Sequence, residues 1–169
     1  MSKNLTILFV SVEGVGHVNA CIGLAECLRD RGHKIVFTVD KTFEGKLIRY
    51  GFIEEKIIDP NEGKFKNPGE QGAKHMLESG ILSGMSSLEK VELLSKQTFF
   101  VEMIDKLKLN EPNLKAIIEK HKPDVYIIDH FIGSPTLIYS DKPWVFLSGS
   151  NPLFVLDDER TPPGTSGMQ

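Results

Sequence analysis

The chain has 169 residues, 40% hydrophobic and 25% charged, with 20 lysines and arginines against 23 aspartates and glutamates. That is the size of one ordinary domain with enough apolar content for a core, and it excludes a disordered acidic chain. The formal charge of −3 supplies neither the basic footprint of a nucleic-acid binder nor a polybasic patch for membranes.

The predicted elements alternate strand and helix. Residues 5–10 are a continuous apolar run, as expected of a parallel strand covered on both faces. The run is short for a signal peptide, only Lys3 precedes it, and Glu13 stands where a small-residue cleavage site would begin. No stretch approaches the ~20 apolar residues of a membrane span, so the chain reads as cytoplasmic.

The turn Glu13-Gly14-Val15-Gly16 opens a helix in which Val18, Cys21, Ile22, Ala25 and Leu28 recur at helical spacing, with Gly32 as its C-cap. Cys21 and Cys27 lie six residues apart. At about 9 Å along a helix axis they are too far apart for a disulfide, and they read as buried thiols in a reducing compartment.

Residues 34–39 form a second strand, 43–50 a short helix closed by Gly51, and 52–58 a third strand. Short connections of this kind imply a parallel sheet with right-handed crossovers. Residues 59–74 are polar and glycine-containing, an expected exposed loop. Residues 86–109 read as one long or broken helix, in which Met85, Phe99, Phe100 and Met103 are assigned to core rather than to a ligand wall.

Asn110-Glu111-Pro112 reads as a new helix start, with asparagine as N-cap and proline in the first turn. Lys122-Pro123 stops that helix. Residues 125–128 are a fourth strand ending on Asp129, and 144–147 a fifth. Two units are expected: a Rossmann-like domain over residues 1–150 and a Pro/Gly-rich tail over 151–169 that is an incomplete end of it.

Ligands of open parallel sheets collect at the carboxyl ends of the strands. Three polar places fall there: residues 11–17, Asp129-His130, and Ser148-Gly149-Ser150. His17 stands near the positive end of the first helix, where the neutral imidazole, a general base, is favoured. First and fourth strands of such sheets are commonly adjacent, so Asp129 can fix the His17 tautomer and stabilise its cation. Spacing alone equally allows His17 as a turn cap and Asp129 as a solvated strand end.

The stretches ILFVSVEGVGHVNACIGLAECLRDRGHKIVF, HKPDVYIIDHF and KPWVFLSGSNP, in this order, resemble the first half of the UDP-dependent glycosyltransferases of family 1. The resemblance implies an α/β fold, a Rossmann-like parallel sheet with helices on both faces, the N-terminal half of a GT-B glycosyltransferase. It implies an inverting transfer in which His17 is the general base and Asp129 its partner.

On the same basis Gly14, Gly16, Phe131, Ser148 and Ser150 line the acceptor site. For Glu13 three readings stand: it tunes His17, touches substrate, or is solvated. No cofactor is expected to be held tightly; UDP-sugar is the co-substrate of the complete enzyme. The family's donor-binding signature is absent from these residues, so the expected partners are a small, apolar acceptor and a donor-binding domain elsewhere in a longer chain or on a second one. Apolar surface left uncovered would favour a homodimer.

Two rivals are weighed. In a nicotinamide-binding Rossmann enzyme, Gly14 and Gly16 would begin the phosphate turn and Asp40 would hold the ribose, but Asn19 replaces the third glycine. In a non-catalytic module, the same pocket would only bind a small molecule or dock a partner.

Overall fold

In the computed structural model, residues 4–60, 62, 70–96 and 99–149 are described. Five strands, β1 (Thr6–Ser11), β2 (Lys34–Val39), β3 (Ile53–Lys56), β4 (Val125–Asp129) and β5 (Trp144–Phe146), form one sheet in the order β3-β2-β1-β4-β5. Every pairing is parallel. The order runs outward from β1 in both directions, so the sheet reverses between β1 and β4. That reversal is the switch point at which doubly wound sheets open a crevice.

Alternation along the strands divides the core in two, because successive side chains leave a strand on opposite faces. Ile7, Phe9, Ile35, Phe37, Val39 and Ile127 point to one face and pack against Val18, Cys21 and Ala25 of α1 (Val15–Asp30). Phe9 stacks on Phe37 with ring centroids 4.7 Å apart. Leu8, Val36, Tyr126 and Ile128 point to the other face. There they meet Leu114 and Ile117 of α4 (Phe99–His121) and Leu137 of α5 (Pro135–Ile138). The fold is thus α/β and Rossmann-like, with helices on both faces.

Helix α1 ends as its sequence demands. Gly32, at φ +90°, takes the left-handed position after the C-cap Arg31, and its N–H donates to the Arg29 carbonyl at 2.8 Å. The two cysteines are unpaired, but only Cys21 is buried; Cys27 is exposed. Six residues of helix rotate the chain by about 240°, so the two thiols cannot share a face.

Three expected elements differ. The helix over 43–50 is reduced to a single 3-10 turn, Ile48–Tyr50, closed by Gly51 at φ +78°. Its backbone is satisfied from outside: the Glu54 carboxylate accepts the N–H groups of Gly45 and Leu47 at 2.6 Å each, and Asp40 accepts those of Thr42 and Phe43. A chain wrapped round two carboxylates has no need of a helical ladder. Asp40 is therefore a turn-forming residue here, and its carboxylate is taken up by that turn.

The loop expected to reach residue 74 gives way earlier, to α2 (Glu70–Ser79), followed by α3 (Ser87–Ser95). Glycine at 72 lowers helix propensity without forbidding it.

No helix begins at Asn110. Helix α4 runs continuously through Pro112, and Asn110 is a buried interior residue. Its side chain reaches the segment after β3, where Oδ1 accepts the Ile58 N–H at 2.7 Å and Nδ2 donates to the Ile58 carbonyl at 2.8 Å. The amide satisfies both backbone groups of Ile58, as a paired strand would. The helix ends at His121, with Lys122 in the left-handed region at φ +47° and Pro123 after it, so the Lys122-Pro123 stop holds.

Candidate active site

The switch point brings the first and second polar segments of the sequence together. Ser11 is in register with Asp129, and the Val12 N–H donates to the Asp129 carbonyl at 2.8 Å, extending the β1–β4 ladder one step beyond the strand. The Gly14 N–H then donates to the Val12 carbonyl, and Gly14, in extended conformation, is the N-cap of α1. This compact turn sets His17, the third residue of the helix, over the end of β4.

His17 Nδ1 lies 3.0 Å from each carboxylate oxygen of Asp129. Carboxylate oxygens only accept, so Nδ1 carries a hydrogen, and in the neutral ring Nε2 presents a lone pair. The Asp129 side chain is 4% exposed and that of His17 is 20% exposed, so the carboxylate is sealed while the imidazole keeps one accessible side. Phe131 stands edge-on to the imidazole, with centroids 5.6 Å apart, and is itself partly exposed.

Gly14 passes close to the ring: a Cβ there would lie 3.4 Å from His17 Cδ2. Gly16 faces open space, with nothing within 4 Å of where its Cβ would be. Ser148 is exposed beyond β5, and Ser150 lies outside the described residues.

Glu13 is mostly buried and pairs with a residue that sequence reasoning missed. Lys106, on α4, places Nζ 3.1 Å from the Glu13 carboxylate and 3.8 Å from that of Asp59. Burial pushes the Glu13 carboxyl above its ordinary range, and the Lys106 charge opposes that rise. Glu13 is thus an ion-paired residue between β1 and α4 rather than a solvated one.

His130 faces the same region and accepts the Ile132 N–H on Nδ1 at 3.1 Å, which leaves the proton on Nε2 in the neutral ring. Burial holds this imidazole below its usual range, and the nearby Lys106 charge adds to the effect.

Two further groups converge on Asp129. The Cys21 thiol, one turn along α1 from His17, lies 3.9 Å from Oδ2, and the Gly149 N–H donates to Oδ1 at 3.3 Å. Burial, reinforced by the Asp129 charge, pushes the Cys21 thiol up to about 12, so it stays protonated and inert as a nucleophile. The i, i+4 spacing of His17 and Cys21 was a readable signal for that contact. Nothing in the sequence pointed to Lys106, whose partners come from distant segments. Among the described residues no group of side chains has the makings of a metal site, and no helix is long and apolar enough to cross a membrane.

No protein family and no curated protein matches this sequence. Solved structures do. The chain is similar to the glycotransferase of kitacinnamycin at 18% identity and a TM-score of 0.57, over 89% of its own length and 32% of the other's. It also matches the calicheamicin glycosyltransferase, at 18% identity, a TM-score of 0.45 and coverages of 75% and 27%. A spinosyn rhamnosyltransferase matches at 16% identity, a TM-score of 0.40 and coverages of 74% and 28%.

The first of these likenesses gives the fold: a five-stranded, all-parallel, Rossmann-like unit of the kind found in GT-B glycosyltransferases. The chain spans about a third of the length of the structures it matches.

Proposed function

We propose that this chain is the acceptor-binding half of an inverting, UDP-sugar-dependent glycosyltransferase, and that His17 is its general base. The observation that carries the reading is the buried Asp129 carboxylate 3.0 Å from His17 Nδ1 at the sheet's switch point. This pairing leaves the Nε2 lone pair for an acceptor hydroxyl. As Nε2 takes the hydroxyl proton, the oxygen attacks the anomeric carbon of the sugar from the face opposite UDP. UDP departs with the bonding electron pair, and the configuration inverts. Asp129 stabilises the imidazolium without itself taking the proton.

Partly exposed Phe131 stands against the His17 ring, which supports an acceptor with an apolar body. Glu13, Gly14, Gly16 and the segment at 148–150 complete the proposed acceptor site. The sugar donor is held by a donor-binding domain outside these residues, on the same or a second polypeptide. A non-catalytic binding module, in which the same pocket only holds a small molecule, is the rival reading. Two unpaired cysteines support a reducing, cytoplasmic setting.

In the enzyme assembled with its donor-binding half, His17→Ala is expected to lower kcat by about two to four orders of magnitude, the usual contribution of a general base. UDP release in the presence of a hydroxylated aromatic acceptor is the measurement. Near-wild-type turnover by His17→Ala removes His17 from the mechanism. UDP release by this chain alone refutes the assignment of the donor site elsewhere.

A further inference from the structure

We propose that Gly149 is a positioning residue for the His17–Asp129 pair, acting through the space its missing side chain leaves and through its backbone N–H. Its functional consequence rests on the reading of His17 as the base; its geometry does not.

A carboxylate that is almost wholly buried must find its hydrogen-bond donors within the protein. Among the described residues Asp129 has three: Nδ1 of His17 from α1, the Cys21 thiol one turn further on, and the Gly149 N–H from beyond β5. The thiol, at 3.9 Å, is a weak donor, so among the described residues the main-chain N–H is the principal restraint on the carboxylate other than His17 itself. It is delivered by the sheet. Ile128 is in register with Phe146, and the Leu147 N–H donates to the Ile128 carbonyl at 2.8 Å, which carries the chain past β5 alongside Asp129.

That close passage leaves no room for a side chain. A Cβ at position 149 would lie 2.6 Å from Asp129 Oδ2, 3.3 Å from Asp129 Cγ and 3.2 Å from His17 Nδ1. The first distance is below any real carbon–oxygen contact, and both crowded groups are the paired ones. The requirement differs from that at Gly32 and Gly51, where a left-handed backbone calls for glycine. At Gly149 the demand is for space. Alanine there must turn the carboxylate or push the imidazole away, and either movement breaks the bond that keeps the hydrogen on Nδ1.

The test is the imidazole tautomer of His17 in the full chain labelled with 15N-histidine, read from its ring nitrogen shifts at neutral pH. The wild-type chain is expected to show the Nδ1–H form. Gly149→Ala is expected to shift His17 to the Nε2–H-rich mixture of a solvated histidine, whereas Gly23→Ala, at a position with nothing within 4 Å, leaves it unchanged.

Should Gly149→Ala fail to fold, the double variant with Asp129→Ala resolves the matter. Removing the carboxylate removes the shortest contact and frees the imidazole, 3.2 Å away, to yield, so the alanine at 149 should cost far less stability in that background than in the wild type. Retention of the Nδ1–H form in Gly149→Ala, or additive destabilisation in the double variant, overturns the proposal.

In the assembled enzyme Gly149→Ala should lower kcat about a hundredfold, as ångström-scale misplacement of a catalytic group does. Normal turnover by His17→Ala would sink the base reading while leaving the tautomer result intact, so the two failures are separable.

Discussion

Around the crevice, burial moves acids and bases in opposite directions. Glu13 is raised from its ordinary 4.5 because burial outweighs the Lys106 charge. Removing that charge must raise it further, so Lys106→Met should move the Glu13 carboxyl titration to higher pH, as followed by 13C NMR. The sign of the stability effect follows from linkage: a carboxyl raised on folding stabilises below 4.5 and loses that contribution as pH climbs through the folded value.

His130 behaves oppositely. Burial lowers it from 6.5, so the unfolded chain binds the extra proton first and stability falls as pH drops from 6.5 toward the folded value. In the native protein its ring protons should titrate below the range of a solvated histidine. A His130 that titrates at or above 6.5 would place the ring in water.

At the scale of elements, Asn110 and Pro112 are decided by what lies beside the helix. Asn110 has the residue type of an N-cap, and a proline two residues later strengthens that signal. The signal misleads because the Ile58 N–H and carbonyl, more than fifty residues earlier, need partners that this amide supplies. Asn110→Leu leaves both groups unsatisfied and should cost about 1–3 kcal/mol, measurable by urea unfolding. Pro112 sits inside α4 without an N–H to donate. Restoring that donor with Pro112→Ala should stabilise the protein by up to about 3 kcal/mol. A loss of stability would show that the helix depends on the bend proline imposes.

Over the whole molecule, the sheet is unevenly protected. β1 and β2 are covered on both faces, whereas Trp144, Val145 and Phe146 of edge strand β5 are all about half exposed. An apolar, exposed edge strand invites a further strand or a second copy. At raised concentration the chain is expected to elute above its monomer size on gel filtration, and Val145→Lys should reverse that. Concentration-independent monomer elution would count against an association surface at β5. The same strand leads to Gly149, so the edge of the sheet and the His17–Asp129 pair share one segment.

The amino-acid sequence by itself determined the alternation of strands and helices, the parallel sheet and the glycine that ends α1. These follow from local rules: uninterrupted apolar runs, helical spacing and left-handed backbone. It also made His17 and Asp129 candidates, since a histidine after a glycine turn and an aspartate at a strand end both fall on the sheet's carboxyl edge. Only the tertiary structure decided that Glu13 is paired, that Asn110 is internal to a helix, that Cys27 faces solvent and that Gly149 closes on Asp129. Each depends on a partner brought from elsewhere in the chain or on the side of a helix that meets the core. Such pairings are set by strand order and register, which become definite only once the sheet is assembled.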